Sequence, residues 1–264
     1  KNVMLTKKIL RYVLPLLPTI MCWWLTTSSD RFFIQHYFSL SDNGIYAVAA
    51  RFGAIMQIVG AIIFQAWQEM ALRQYNSPDR DKFFSEMVNL FIMFMSIAAL
   101  CFAFGLKIVY PFIVSPEYVA GIVYVFPIIA SSVLYALSNI LEVGYQCSFE
   151  TGRALLGVGV SAAVNILLNF VLIQTIGIYG VVVTSVVTYA VLLGFRIHDS
   201  RRYFKINISK MSILTVAIGA VGVFPFYFTD SALVDVVMIM IGLAAMTLVA
   251  PRVLRSLRQS KRGS

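Results

Sequence analysis

Charge is scarce in this chain. Asp, Glu, Lys and Arg make up 12% of its 264 residues, well below the usual quarter of a soluble domain. The longest polar gap runs only from about Gln68 to Lys82, so no soluble domain fits. The two histidines, His36 and His198, lie in loops at the edges of apolar stretches. Neither has the Cys, Asp or Glu company of a metal site. Cys22, Cys101 and Cys147 fall in or beside apolar stretches with no close spacing. That excludes a disulfide framework and a zinc pattern, and leaves small apolar packing residues. A Ser-His-Asp arrangement is missing, and the gaps opposite the basic ones are about 14 residues or shorter, within ordinary connection lengths. A membrane glycan polymerase or ligase, which needs a large reactive loop, therefore does not fit. Acids are outnumbered, 12 against 21 bases, for a net charge of +9. A basic groove with interleaved aromatics is missing, so the excess does not point to nucleic acid.

What fills the chain is apolar: 59% of residues are hydrophobic. A helix crossing lipid needs about 20 mostly apolar residues and satisfies its own backbone there. Candidate spans lie near residues 12–29, 44–66, 84–106, 121–147, 154–175, 178–197, 211–228 and 233–250. The fold class that follows is all-α, a polytopic transmembrane helical bundle of about eight spans. Of the 21 Lys and Arg residues, only Arg31 and Lys107 fall in the alternate gaps, and Arg51 lies within a span. All others, Arg196 among them, fall on one side. That bias places both termini in the cytoplasm and the positive charge against anionic lipid headgroups. The chain begins KNVMLTKKILRY, with Lys rather than Met first and no visible signal peptide, and reads as a piece of a longer protein.

Polar residues inside spans are costly and mark function by default; the alternative is capping, snorkelling or helix contact. The first span places Thr19, Trp23, Thr26 and Asp30 on one helical face. Arg31 follows directly, so Asp30 is expected to pair with it or with neighbours. Pro15 and Pro18 are expected to bend this span. In the second span Arg51 lies about 10 Å down the helix from Gly44, facing either a water-filled cavity or a fixed carboxylate such as Asp30. Gly53, Gln57 and Gly60 form a separate small and polar face. The fourth span is the most polar, with Ser131, Tyr135, Ser138, Glu142 and Gln146 in one stripe and Asn139 beside it. Glu142 there is either a proton-coupling carboxylate or one wetted from the cytoplasm or bonded to a neighbouring helix. Gly157, Ser161, Asn165 and Asn169 recur every four residues in the fifth span, which favours hydrogen bonds across a helix contact. Gly180, Thr184 and Thr188 repeat the device in the sixth, after a very short IGIYG turn. Spans seven and eight carry no sustained polar face. The reading is six core helices (residues 1–205) plus an appended pair with a basic tail (206–264).

Three stretches carry a family likeness: LPLLPTIMCWWLTTSSDRFFIQHYFSLSDNGIYAVAARFG, the fourth span, and NILLNFVLIQTIGIYGVVVTSVVTY. They resemble the C-terminal half of the polysaccharide (O-antigen-type) flippases of the MOP superfamily, which also holds the MATE transporters and the lipid II flippase. The resemblance implies one six-helix lobe of a two-lobe, alternating-access transporter of the bacterial cytoplasmic membrane, with two peripheral helices added. Its implied substrate is an isoprenoid-pyrophosphate-linked oligosaccharide carried from the cytoplasmic to the outer leaflet. Partners expected with it are membrane lipids, an N-terminal lobe, and a polysaccharide polymerase and chain-length protein. No enzyme activity and no cofactor are implied. Substrate-binding candidates are Trp23, Arg31, Arg51, Gln57 and Asn139; ion-coupling candidates are Asp30 and Glu142. The chain departs from the family in carrying one lobe. A lobe cut off or encoded separately is expected to complete it, or a second copy. The rival readings are a MATE-like cation-coupled antiporter and a structural partner subunit.

Overall fold

The structure, a computed structural model, describes residue 10 and residues 13–262, with side chains up to residue 247. The described residues form helices and no strand: α1 (Leu16–Tyr37), α2 (Leu40–Gln74), α3 (Arg80–Ile113), a 3-10 turn (Pro116–Gly121), α4 (Ile122–Ser148), α5 (Thr151–Ile176), α6 (Ile178–Ser200), α7 (Lys210–Val221), α8 (Val223–Phe228) and α9 (Ala232–Arg262). Six are long and apolar enough to cross a membrane: α2, α3, α4 with its 3-10 lead, α5, α6, and α7 continued by α8. At 22 residues α1 is long enough, but it is too polar overall to fall in that set. The described apolar part of α9, Ala232–Thr247, is shorter than a span.

Local chemistry sets the ends. Ser39 and Asp42 cap α2 reciprocally: the Ser39 hydroxyl accepts from the Asp42 N–H and the Asp42 carboxylate from the Ser39 N–H, a capping box. Pro15 and Pro18 lie at a break: helical backbone at residue 13 gives way to a turn at residues 14–15 before α1 begins. They sit before it and in its first turn, where backbone N–H groups lack partners anyway. The α5–α6 hairpin turns on Gly177 alone, at φ 65°. Both histidines lie in the last turns of helices, His36 in α1 and His198 in α6, rather than in loops.

Helix α4 sits at the centre, packed on α2, α3 and α6. Together with it α1, α5, α6 and α2 close a ring, with α3 outside α4 and with α7 and α9 outside α3. Small residues let α2 reach α4: a Cβ added at Gly60 would stand 2.7 Å from that of Ala136, and one at Gly53 would strike Ile128. Trp67, 1% exposed, donates its indole N–H to the Ile140 carbonyl at 3.0 Å. The appended helices are tied to α3 by polar groups. Asn89 accepts from the Ser209 N–H and the Ser212 hydroxyl, both at 2.7 Å. Lys107 pairs with Asp235 at 3.5 Å and donates to the Thr229 carbonyl. The basic gap before α7 is no free linker either. Phe204 packs into Phe84, and the Ser85 hydroxyl accepts from the Asn207 N–H.

A Cβ at Gly180 would fall on the Leu172 carbonyl, which is backbone and cannot swing aside. Gly180→Ala is expected to cost about 1–3 kcal/mol of stability, read by thermal unfolding in detergent.

Candidate functional site

The buried polar groups of the ring form four levels. The first lies about 10 Å in from the end opposite the basic one. Here Asp30 of α1, 8% exposed, is gripped from three sides. It accepts from Asn169 Nδ2 of α5 at 2.8 Å, Ser185 Oγ of α6 at 2.9 Å and the Tyr46 hydroxyl of α2 at 3.0 Å. Asn165 extends the network: its amide oxygen accepts from the Ser29 hydroxyl at 2.6 Å, and its nitrogen donates to Thr188 at 3.3 Å. The four-residue spacing of the α5 asparagines thus does serve cross-helix hydrogen bonding. Two oxygens of this level, Asn169 Oδ1 and Thr184 Oγ1, are buried without a partner. No cation pairs with Asp30 among the described residues; Arg31 is exposed.

The second level lies roughly 16–21 Å in. Trp23 of α1 meets Tyr135 of α4 edge-on at 5.0 Å and stacks near Tyr189 of α6 at 6.3 Å, while the two tyrosines stand 5.3 Å apart. Beside them Gln57 of α2 reaches the Ser132 hydroxyl at 3.5 Å. The third level, about 25–30 Å in, holds Arg196 of α6, 1% exposed. Its guanidinium donates to Glu142 Oε2 at 2.9 Å and Asn139 Oδ1 at 3.0 Å. Its Nε is buried and unpartnered. A fourth charged layer closes the basic end. Arg153 holds Asp199 with two bonds of 2.6 and 3.0 Å, and Arg202 adds a third contact at 3.1 Å. In the adjoining linker, burial pushes the Tyr203 phenol up, and its bond to Glu150 adds to that.

Among the described residues the Tyr46–Asp30 bond is the one side-chain hydrogen bond between α1 and α2. Trp23, Gln57, Tyr135, Asn139 and Glu142 are all partly exposed. They form a strip along α4, bounded by α2, α1 and α6. Of the residues picked out in the sequence, the structure brings Trp23, Gln57, Asn139 and Glu142 together on this strip, and places Asp30 above it. It does not bring the arginines there. Arg51 is exposed and lies about 200° around α2 from Gly53, facing away from α4. Neither Arg51 nor Arg31 meets Asp30. Glu142 is bonded to a neighbouring helix, one of the arrangements its position allowed.

The cation inside the bundle is instead Arg196, which the charge pattern had placed in a basic gap. Its signal was in the sequence. The Gly180, Thr184, Thr188 row continues by fours through Leu192 to Arg196. Tyr46 and Ser185 were missed because nothing in their own helices marks them; only Asp30 gives them meaning. Arg196→Met is expected to cost about 3 kcal/mol, at the low end for a broken buried pair because Glu142 keeps 27% exposure. Replacing Glu142 by Leu in the same chain should recover most of that loss, as a double-mutant cycle of unfolding free energies would show.

No family model matches the chain, and no curated protein does. Solved structures do. A MOP superfamily transporter from Pyrococcus furiosus, described as having a binding pocket of reverse polarity that suggests a different function, superposes with a TM-score of 0.64 at 15% identity over 83% of this chain and 52% of that one. An outward-facing multidrug resistance MATE family transporter of the same superfamily gives a TM-score of 0.56 at 16% identity, with the same coverage. The chain therefore spans about half the length of these structures, and shares the fold of that half.

Proposed function

We propose that this chain is one lobe of a membrane transporter that carries an isoprenoid-pyrophosphate-linked oligosaccharide between leaflets. The observation that carries the reading is the strip on α4. It combines aromatic faces and amides, groups that suit a sugar headgroup, with the guanidinium of Arg196 buried behind it. Trp23 and Tyr135 offer flat apolar faces and Gln57 and Asn139 hydrogen bonds, while buried Arg196 holds Asn139 and Glu142 in place. A single lobe supplies one wall of such a path. The second comes from another lobe or copy, and Arg31 and Arg51, exposed on α1 and α2, are available to it. The membrane is the bacterial cytoplasmic one, with both termini on the cytoplasmic side, as the lysine and arginine bias supports.

Asp30 is the coupling group of this proposal. A buried carboxylate held by neutral donors gains or loses a proton or cation with no paired arginine to oppose it. The same observation favours the second reading, a MATE-like cation-coupled antiporter. One experiment separates them. In cells lacking the full-length gene, lipid-linked oligosaccharide should collect in the cytoplasmic leaflet and clear when the gene is restored. Asp30→Asn and Trp23→Ala should each slow that clearance about tenfold, a loss of about 1.4 kcal/mol. An unchanged leaflet distribution, together with lost drug or cation efflux, would decide for the antiporter. Unchanged glycan export after Arg51→Ala would remove that side chain from the path.

A further inference from the structure

Two cavities lie on the opposite side of α4 from the strip. The larger, about 310 Å³, opens between α3, α4 and α7; the smaller, about 140 Å³, between α3, α4, α6 and the linker before α7. Leu137 lines both, so they adjoin. Along α4 they run from Phe126 to Leu141, about 22 Å of helix. The reason for the gap is packing. Helix α7 leans on α3 rather than on α4, and beside Val216 it lines the larger cavity with two small residues, Gly219 and Ala220. Space at Gly219 is open: a Cβ added there would find no atom within 4 Å.

An apolar void inside a bilayer forfeits the contacts its walls could make, and lipid-embedded helices depend on such contacts to associate. This groove is longer than half of the roughly 30 Å hydrocarbon core, which matches a chain entering from one leaflet. Its mouth at the basic end carries Arg201. That guanidinium is exposed and has no carboxylate partner among the described residues, whereas its neighbour Arg202 is held by Asp199. Lys205 and Lys210, both exposed, add positive charge nearby. A guanidinium beside an acyl-width slot fits a phosphate diester with a tail.

We infer that this groove binds one anionic glycerophospholipid, with an acyl chain between α4 and α7 and its phosphate on Arg201. The lipid fills the seam between the ring and the appended helices, and does so whatever the lobe carries. The full chain, delipidated in detergent, is titrated with phosphatidylglycerol and with phosphatidylcholine under native mass spectrometry. One phosphatidylglycerol should bind about tenfold more tightly than phosphatidylcholine. Arg201→Glu should abolish that preference. Gly219→Leu, which fills the slot, should weaken both lipids about tenfold while the helical circular dichroism stays unchanged. Equal affinity for the two lipids on the unsubstituted chain would overturn the proposal, even if a variant fails to fold. So would undiminished binding to a folded Gly219→Leu chain, or a tightly held polyprenyl lipid that phosphatidylglycerol does not displace.

Discussion

A carboxylate shut away from water needs donors, and the lobe is arranged around supplying them to Asp30. Three helices each bring one, Tyr46 from the adjoining α2 and, from far along the chain, Asn169 of α5 and Ser185 of α6. Leaving such a group bare in an apolar interior costs several kcal/mol, so the three contacts fix how α1 meets the rest. They also fix rotation. Turning α1 by one residue would aim Asp30 at a neighbour without a donor, and the Ser29–Asn165 bond would break with it. The ring closes at this level because that is where its acid is satisfied.

Helix α4 supplies the other half of the architecture by serving two environments at once. Its partly exposed face carries Tyr135, Asn139 and Glu142, and its buried faces carry apolar side chains and small residues that admit α2 and α6. The same economy of small side chains has opposite results on its two flanks. Gly53 and Gly60 of α2 bring backbones together. Gly219 of α7 meets nothing, because α7 is drawn to α3 by Ser212 and Asn89.

The fold class and the stitched hairpin of α5 and α6 were legible in hydropathy, in the four-residue Asn spacing and in the single glycine of the turn, and so was the polar character of α4. Of the eight spans expected, six are long and apolar enough to cross among the described residues. The pairing within the site was legible only in part. Asp30 declared itself as costly, but its donors are hydroxyls and amides that are ordinary in a helix taken alone. Arg196 was hidden by a rule that is true on average: basic residues gather on one side of a membrane. It sits a turn inside the end of its helix, where a charge census cannot tell a loop from a bundle interior. Arg51 shows the converse. Its position well inside the span marked it as costly, yet the phase of α2 turns it away from the lobe.

The low hydropathy of α1 has a consequence for how the chain is made. It leaves the ribosome before the helices that receive it, and composition alone does not mark it as a span. Ser185, which completes the grip on Asp30, follows 155 residues later. At about 5–20 residues per second, that is a wait of roughly 8–30 s. Through that interval the acid of α1 has no completed pocket in lipid. Helix α1 therefore gains its full set of polar partners only once the α5–α6 hairpin has been made.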